Sequence, residues 1–216
     1  ALTTIQYANL NTNQIAALTT SQVASMETRD VQALGTSGVA TLLAAQIGSL
    51  NTAQIVGLSS DTLNAIETND ISSLKTAQIV NIETADLAGL STLQVAALTT
   101  GQVASLTTKQ IQALNSDQLN FLTTAGVASL TTLQVVAMNT DQLSALATAQ
   151  FAALRTQQIA AMETRDVAKL GTTLIDAMTA AQVGSLNTAQ LVAMNSSQVG
   201  AISTADVSSL STLQIR

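Results

Sequence analysis

Four segments of the chain place a glutamate three residues ahead of an aspartate: Glu27/Asp30, Glu67/Asp70, Glu83/Asp86 and Glu163/Asp166. Clustered carboxylate oxygens are what a hard cation such as Ca²⁺ requires. Glu67/Asp70 and Glu83/Asp86 stand close together in the chain and are the pairs whose convergence would build such a site. The plainer reading is local. An aspartate in the first turn of a helix is favoured by the helix dipole, and Arg29 and Arg165 stand inside two of the pairs, where they can screen the acids. The other feature with chemical content is threonine at regular spacing. Read functionally, it is a hydroxyl lattice suited to ice or polysaccharide; read structurally, it caps helices and bonds one repeat to the next.

Most other chemistry is excluded by composition. The chain has no Cys and no His, which removes thiolates, imidazole general bases, Ser-His-Asp triads and zinc sites built on those ligands. Ser and Thr are abundant but have no base to activate them. No catalytic residue or cofactor site is expected. The net charge is −6, and Lys75, Lys109, Lys169, Arg155 and Arg216 are scattered as solvated singles. Phosphate recognition needs a basic stripe, so nucleic acid is not an expected partner. The apolar runs are too short for a membrane-spanning helix, and no signal peptide is visible at Ala1.

The elements that must position these residues are set by one period. From Leu2 to Leu210, every eighth residue is Leu, Ile or Met, which divides the chain after Ala1 into 27 octads, the last one residue short. LTTSQVAS (18–25), LNTAQIVG (50–57) and LTTKQIQA (106–113) are typical. Counted from the large aliphatic residue, the sixth position is also apolar in 27 of 27 octads. The third is Thr in 22, the fifth is Gln in 18 and Asp in 5, and the second is Thr, Asn or Ser in 17. Apolar residues make up 47% of the chain but aromatics only 1%, which suits thin stacked layers rather than one globular core.

A continuous helix does not fit, because eight residues at ~100° each turn the apolar stripe by ~80° per octad. A flat strand does not fit either, because the first and sixth positions fall on opposite faces. A short helix in every octad does. With the second residue as N-cap, Thr or Asn there and Gln at the fifth position form a capping box. The first and sixth residues then form the hydrophobic staple. The expected fold is an all-α solenoid of about 27 tandem octads, one short capped helix each. A β-solenoid with two or three octads per coil is the alternative, supported by Thr and Val but lacking fixed corner residues.

The array is read as one continuous domain over 1–216, and both ends interrupt a repeat, so a longer array is expected. Residues 26–57 match 162–193 at 20 of 32 positions, an internal duplication offset by 17 octads. Seventeen is a multiple of neither two nor three, which favours interchangeable octads.

The run Leu98, Thr99, Gln102, Val103 and Leu106 resembles the first helix of TAL-effector repeats, where Thr caps and Gln closes the box. That likeness covers one helix start and brings neither base-reading residues nor a basic surface. The whole chain is similar to Thr/Gln/Ala-rich short-repeat regions of very large bacterial secreted or surface proteins. This resemblance implies an extracellular or cell-surface location and a non-enzymatic role as scaffold, spacer, adhesive or filament-forming segment. Its partners would be copies of itself or cell-surface and matrix components. Ice binding through the Thr array is the alternative function.

Overall fold

A computed structural model describes residues 2–216. Among these, 27 short helices follow one another, one per octad, and there is no strand. The β-solenoid alternative is therefore overturned. The physical reason is the local capping chemistry, which is satisfied within each octad and leaves no extended run for a ladder. Twenty-six helices are α-helical, and the octad 66–73 forms a 3₁₀ turn at Thr68–Ser73.

Each helix begins as its residue pattern requires. In the helix Thr100–Ser105, Thr99 is extended at φ −70° and ψ 159°, and its hydroxyl accepts from the Gln102 N–H. Gln102 Oε1 accepts in return from the Thr99 N–H at 2.7 Å. The same exchange joins Asn51 to Gln54 and Asn139 to Gln142. Where the N-cap side chain cannot accept, as at Leu43 and Ala147, the Gln half of the box persists. Each helix is short because the next aliphatic residue returns to extended backbone, as at Leu106 and Leu122. One octad departs from this pattern. Gly35 takes φ +63°, the left-handed region open to glycine, and the helix Gly35–Val39 follows directly on Thr28–Ala33.

Helices of this length cannot persist alone, because nucleation is costly; packing supplies the rest. The contacts fall into two units, Ala1–Ala113 and Leu114–Arg216. In the first unit, helix Thr20–Ser25 packs on Ala44–Ser49, which packs on Thr68–Ser73. In the second, Thr132–Ala137 packs on Thr156–Ala161, which packs on Ala180–Ser185. Each step is three octads. A coil of three helices, one from each of three successive octads, is therefore the layer that repeats within each unit, and equivalent positions of every third octad line up along an edge. First- and sixth-position side chains fill the interior: Val23, Ile47, Ile111 and Val183 are fully buried. The duplication offset of 17 octads is not a whole number of such coils, which an array of interchangeable octads accommodates.

Candidate functional site

The fifth-position glutamines have a second role that no local pattern reveals. Gln102 Nε2 donates to the carbonyls of Ile71 and Leu74 at 2.8 and 2.7 Å. Gln110 does the same to Ile79 and Ile82, Gln190 to Ile159 and Met162, and Gln198 to Val167 and Leu170. These carbonyls lie 31 and 28 residues back, at the C-terminal end of a helix in the preceding coil; the nearer one has no i+4 donor, and the farther one already accepts from a backbone N–H, as Ile71 does from Leu74. One side chain thus caps the start of its own helix and the end of another. All of its donors are used, and Gln158, Gln190 and Gln198 are at most 1% exposed. The glutamines form an internal ladder and not a recognition surface.

The aspartates occupy the same rung with opposite polarity. A carboxylate cannot donate to a carbonyl, so it accepts instead. Asp30 Oδ1 accepts from Thr4 Oγ1 at 2.6 Å, and Asp166 Oδ1 from Thr140 Oγ1 at 2.5 Å. Asp86 Oδ1 accepts from Ser60 Oγ. Each hydroxyl is the third-position residue of the octad one coil earlier. Asp30 and Asp166 are buried by this packing.

Two aspartates meet alanine at that place. Three octads before Asp206 stands Ala180, and Ser203, the N-cap of its own helix, donates to Asp206 Oδ2 at 2.6 Å. Three octads before Asp70 stands Ala44, and the N-cap is Glu67, which has no hydroxyl to offer. Burial and the adjacent Glu67 push the Asp70 carboxyl above the usual carboxylate range. Ala44/Asp70 and Ala180/Asp206 are related by the same 17-octad offset as the duplication.

The proposed convergence of Glu67, Asp70, Glu83 and Asp86 does not occur. Helix Thr68–Ser73 packs on Ala44–Ser49 and Thr92–Ala96, whereas Thr84–Gly89 packs on Ser60–Asn64 and Thr108–Ala113. The two pairs therefore belong to different edges of the coil. Among the described residues, no group of three or more acidic side chains could hold a metal ion. Glu27, Glu67, Glu83 and Glu163 make no capping hydrogen bond. Glu27 pairs with Arg29 at 2.8 Å and Glu163 with Arg165 at 2.9 Å, both in solvent.

Arg155 corrects its reading as a solvated single: its Nη2 donates to the Leu130 carbonyl at 2.7 Å, the acceptor that Gln158 also uses. The third-position threonines sit at the first helical residue. In the first unit Thr28, Thr52 and Thr76 follow one another along one edge, Thr52 and Thr76 exposed and Thr28 half-buried. The hydroxyl array is therefore divided among three edges.

The ALTTAQ repeat family model matches residues 1–28, 23–60, 63–100, 79–116, 100–132, 159–196 and 183–212. The chain belongs to the ALTTAQ repeat family. The matches starting at 23, 63, 79, 159 and 183 are multiples of eight apart, so they keep the octad register seen in the structure. No curated protein matches the chain.

Proposed function

We propose that this ALTTAQ array is a non-enzymatic structural segment of a large bacterial extracellular protein, working as scaffold or spacer and offering its outer positions for adhesive contact. The observation that carries the reading is the double-capping glutamine. A residue that recurs in 18 of 27 octads and ties helix after helix to the preceding coil in the same fashion is a device for holding a stack together. The buried polar groups are committed to that stacking, as Gln102 and Asp166 illustrate. The second, third and fourth positions remain for weak contacts repeated along an edge, where avidity replaces individual affinity. Antibodies raised against the chain test this reading on intact cells of its source. Labelling without permeabilisation is the expected result; labelling only after permeabilisation would overturn the surface location.

The edge formed by Thr28, Thr52 and Thr76 favours ice binding as a second reading, because it repeats one hydroxyl per coil. Thermal hysteresis in a concentrated solution of the chain supports it, and its absence removes it.

A further inference from the structure

The ladder is uneven inside the first unit, where the coils 34–57, 58–81 and 82–105 follow one another. The coil 82–105 is tied back to 58–81 at all three of its fifth positions. Asp86 accepts from Ser60 Oγ, Gln94 Nε2 donates to the carbonyls of Asn64 and Ile66, and Gln102 Nε2 to those of Ile71 and Leu74. The coil 34–57 is tied to the coil before it by two glutamines, Gln46 through Ile15 and Leu18 and Gln54 through Val23 and Met26. Between these segments, the seam joining 58–81 to 34–57 keeps one glutamine, Gln78, which donates to Ile47 and Leu50. The Thr62 hydroxyl turns back to the Ser59 carbonyl at 2.8 Å, within its own octad. Asp70 stands opposite Ala44 in the register where Asp86 has Ser60.

Two further features fall at this seam. Its middle octad is the 3₁₀ turn Thr68–Ser73, a helix form with poorer hydrogen-bond geometry than the α-helix. Along the same edge, Ala44, Ala45, Gly48 and Ser49 of one coil and Ser73 and Lys75 of the next line an open groove. The apolar interior does not make up the difference. Ile47 and Ile55 on one side of the seam and Ile71 and Ile79 on the other are buried as fully as Val95 and Val103 of the better-tied coil. With apolar burial alike, the polar ties decide which seam parts most easily. We propose that the stack opens reversibly at the seam between 34–57 and 58–81 before it opens at the seams on either side, so that this seam is a yielding joint between two segments that keep their own ladders. Under load such a stack gives at one place without unravelling, because local opening draws on the least stable contacts first. Opening is a property of the stack itself and does not depend on where the protein is located.

Native-state hydrogen exchange of the full chain, resolved helix by helix by mass spectrometry, tests it with two variants. Asp70→Gln completes a missing rung: its Nε2 comes within reach of the carbonyls of Val39 and Leu42, which stand 31 and 28 residues back as in the Gln78 rung. Gln78→Glu removes the donor that remains. In the wild type, the helices Ser60–Asn64 and Thr68–Ser73 are expected to exchange about tenfold or more faster than Thr92–Ala96 and Thr100–Ser105, as the loss of one or more net hydrogen bonds from the closed state requires. Asp70→Gln should slow exchange in 34–81 by about tenfold and leave 82–105 nearly unchanged, and Gln78→Glu should speed it in 34–81 by a similar factor. Should Gln78→Glu fail to fold, the Asp70→Gln result decides alone. Wild-type exchange at Ser60–Asn64 and Thr68–Ser73 no faster than at Thr92–Ala96 and Thr100–Ser105 overturns the proposal. So does an Asp70→Gln chain that slows every helix equally, or that exchanges in 34–81 as fast as the wild type or faster.

Discussion

Glutamine at the fifth position is the residue on which this architecture turns, and its two ends can be tested separately. In Gln102→Glu the oxygen that caps Thr99 is kept, but the groups bonded to Ile71 and Leu74 are lost and a carboxylate faces two carbonyls. Leaving buried acceptors short of a donor costs about 1–3 kcal/mol each, and the confined charge adds to this. A loss of about 2–5 kcal/mol is expected in urea unfolding at neutral pH. Gln102→Leu should cost less, because Leu174 already fills a fifth position, is buried, and brings no charge. If the two variants unfold alike, the carboxylate facing the two carbonyls adds no cost beyond the loss of the donors that both variants share.

Asp70 gives the second prediction at this scale. Its folded-state carboxyl titrates above its ordinary value of 3.8. The folded state therefore holds the proton more tightly than the unfolded chain, and this group's contribution to stability falls as pH rises through that window. It is fully favourable only below 3.8. Ala44→Thr restores the hydroxyl that Thr4 offers Asp30 and Thr140 offers Asp166. The variant should gain about 0.5–1.5 kcal/mol at neutral pH, and the gain should shrink as pH drops to 3.8 and below. Urea midpoints of the pair, followed from neutral pH down into the acid range, check it; a pH-independent difference would show that the new hydroxyl does not reach the carboxylate.

At the scale of the element, the helix starts were legible because capping boxes and staples are contacts within a single turn of chain. Thr99, Gln102 and Val103 carry that information within one octad. The ladder was not legible for the opposite reason: its bonds join octads of successive coils, and a period of eight is compatible with any number of octads per coil. One signal was present. Asp30, Asp86 and Asp166 each have a Thr or Ser at the third position three octads earlier, where Asp70 and Asp206 have an Ala. The Glu/Asp coupling admitted a cation site beside its plainer reading as acids at helix starts, and neither reading contains the bond to the earlier octad. Helix-to-helix spacing is equally invisible from one octad, yet it decides what a glycine does. A Cβ on Gly48 would sit 2.8 Å from the Ser73 carbonyl oxygen, whereas one on Gly101 meets nothing within 4 Å. Gly48→Ala should therefore lower stability by about 1–3 kcal/mol through overpacking. Gly101→Ala should raise it by about 0.5 kcal/mol through helix propensity. Melting temperatures of opposite sign relative to wild type are the expected readout.

For the molecule as a whole, the question is whether the coil or the octad is the unit that must be preserved. Removing one octad from a stack of three-helix coils moves every later helix to the next edge, which would be ruinous if edges had distinct roles. The residues indicate that they do not. If 66–73 is deleted, Gln102 exchanges the carbonyl of Ile71 for that of Leu63, another sixth-position residue, and keeps that of Leu74. Asp86 moves from Ser60 to Thr52, which is again a hydroxyl. The deletion also removes Asp70 and the only 3₁₀ octad among the described residues. The shortened chain should therefore keep the wild-type helical signal per residue, with little change in melting temperature, because stability in a repeat stack is a sum over neighbouring layers. Loss of cooperative melting on deleting one octad, but not on deleting the three octads 66–89, would make the whole coil the indivisible unit. The repeated register of the glutamine ladder, in which any octad can follow any other, argues for the first outcome.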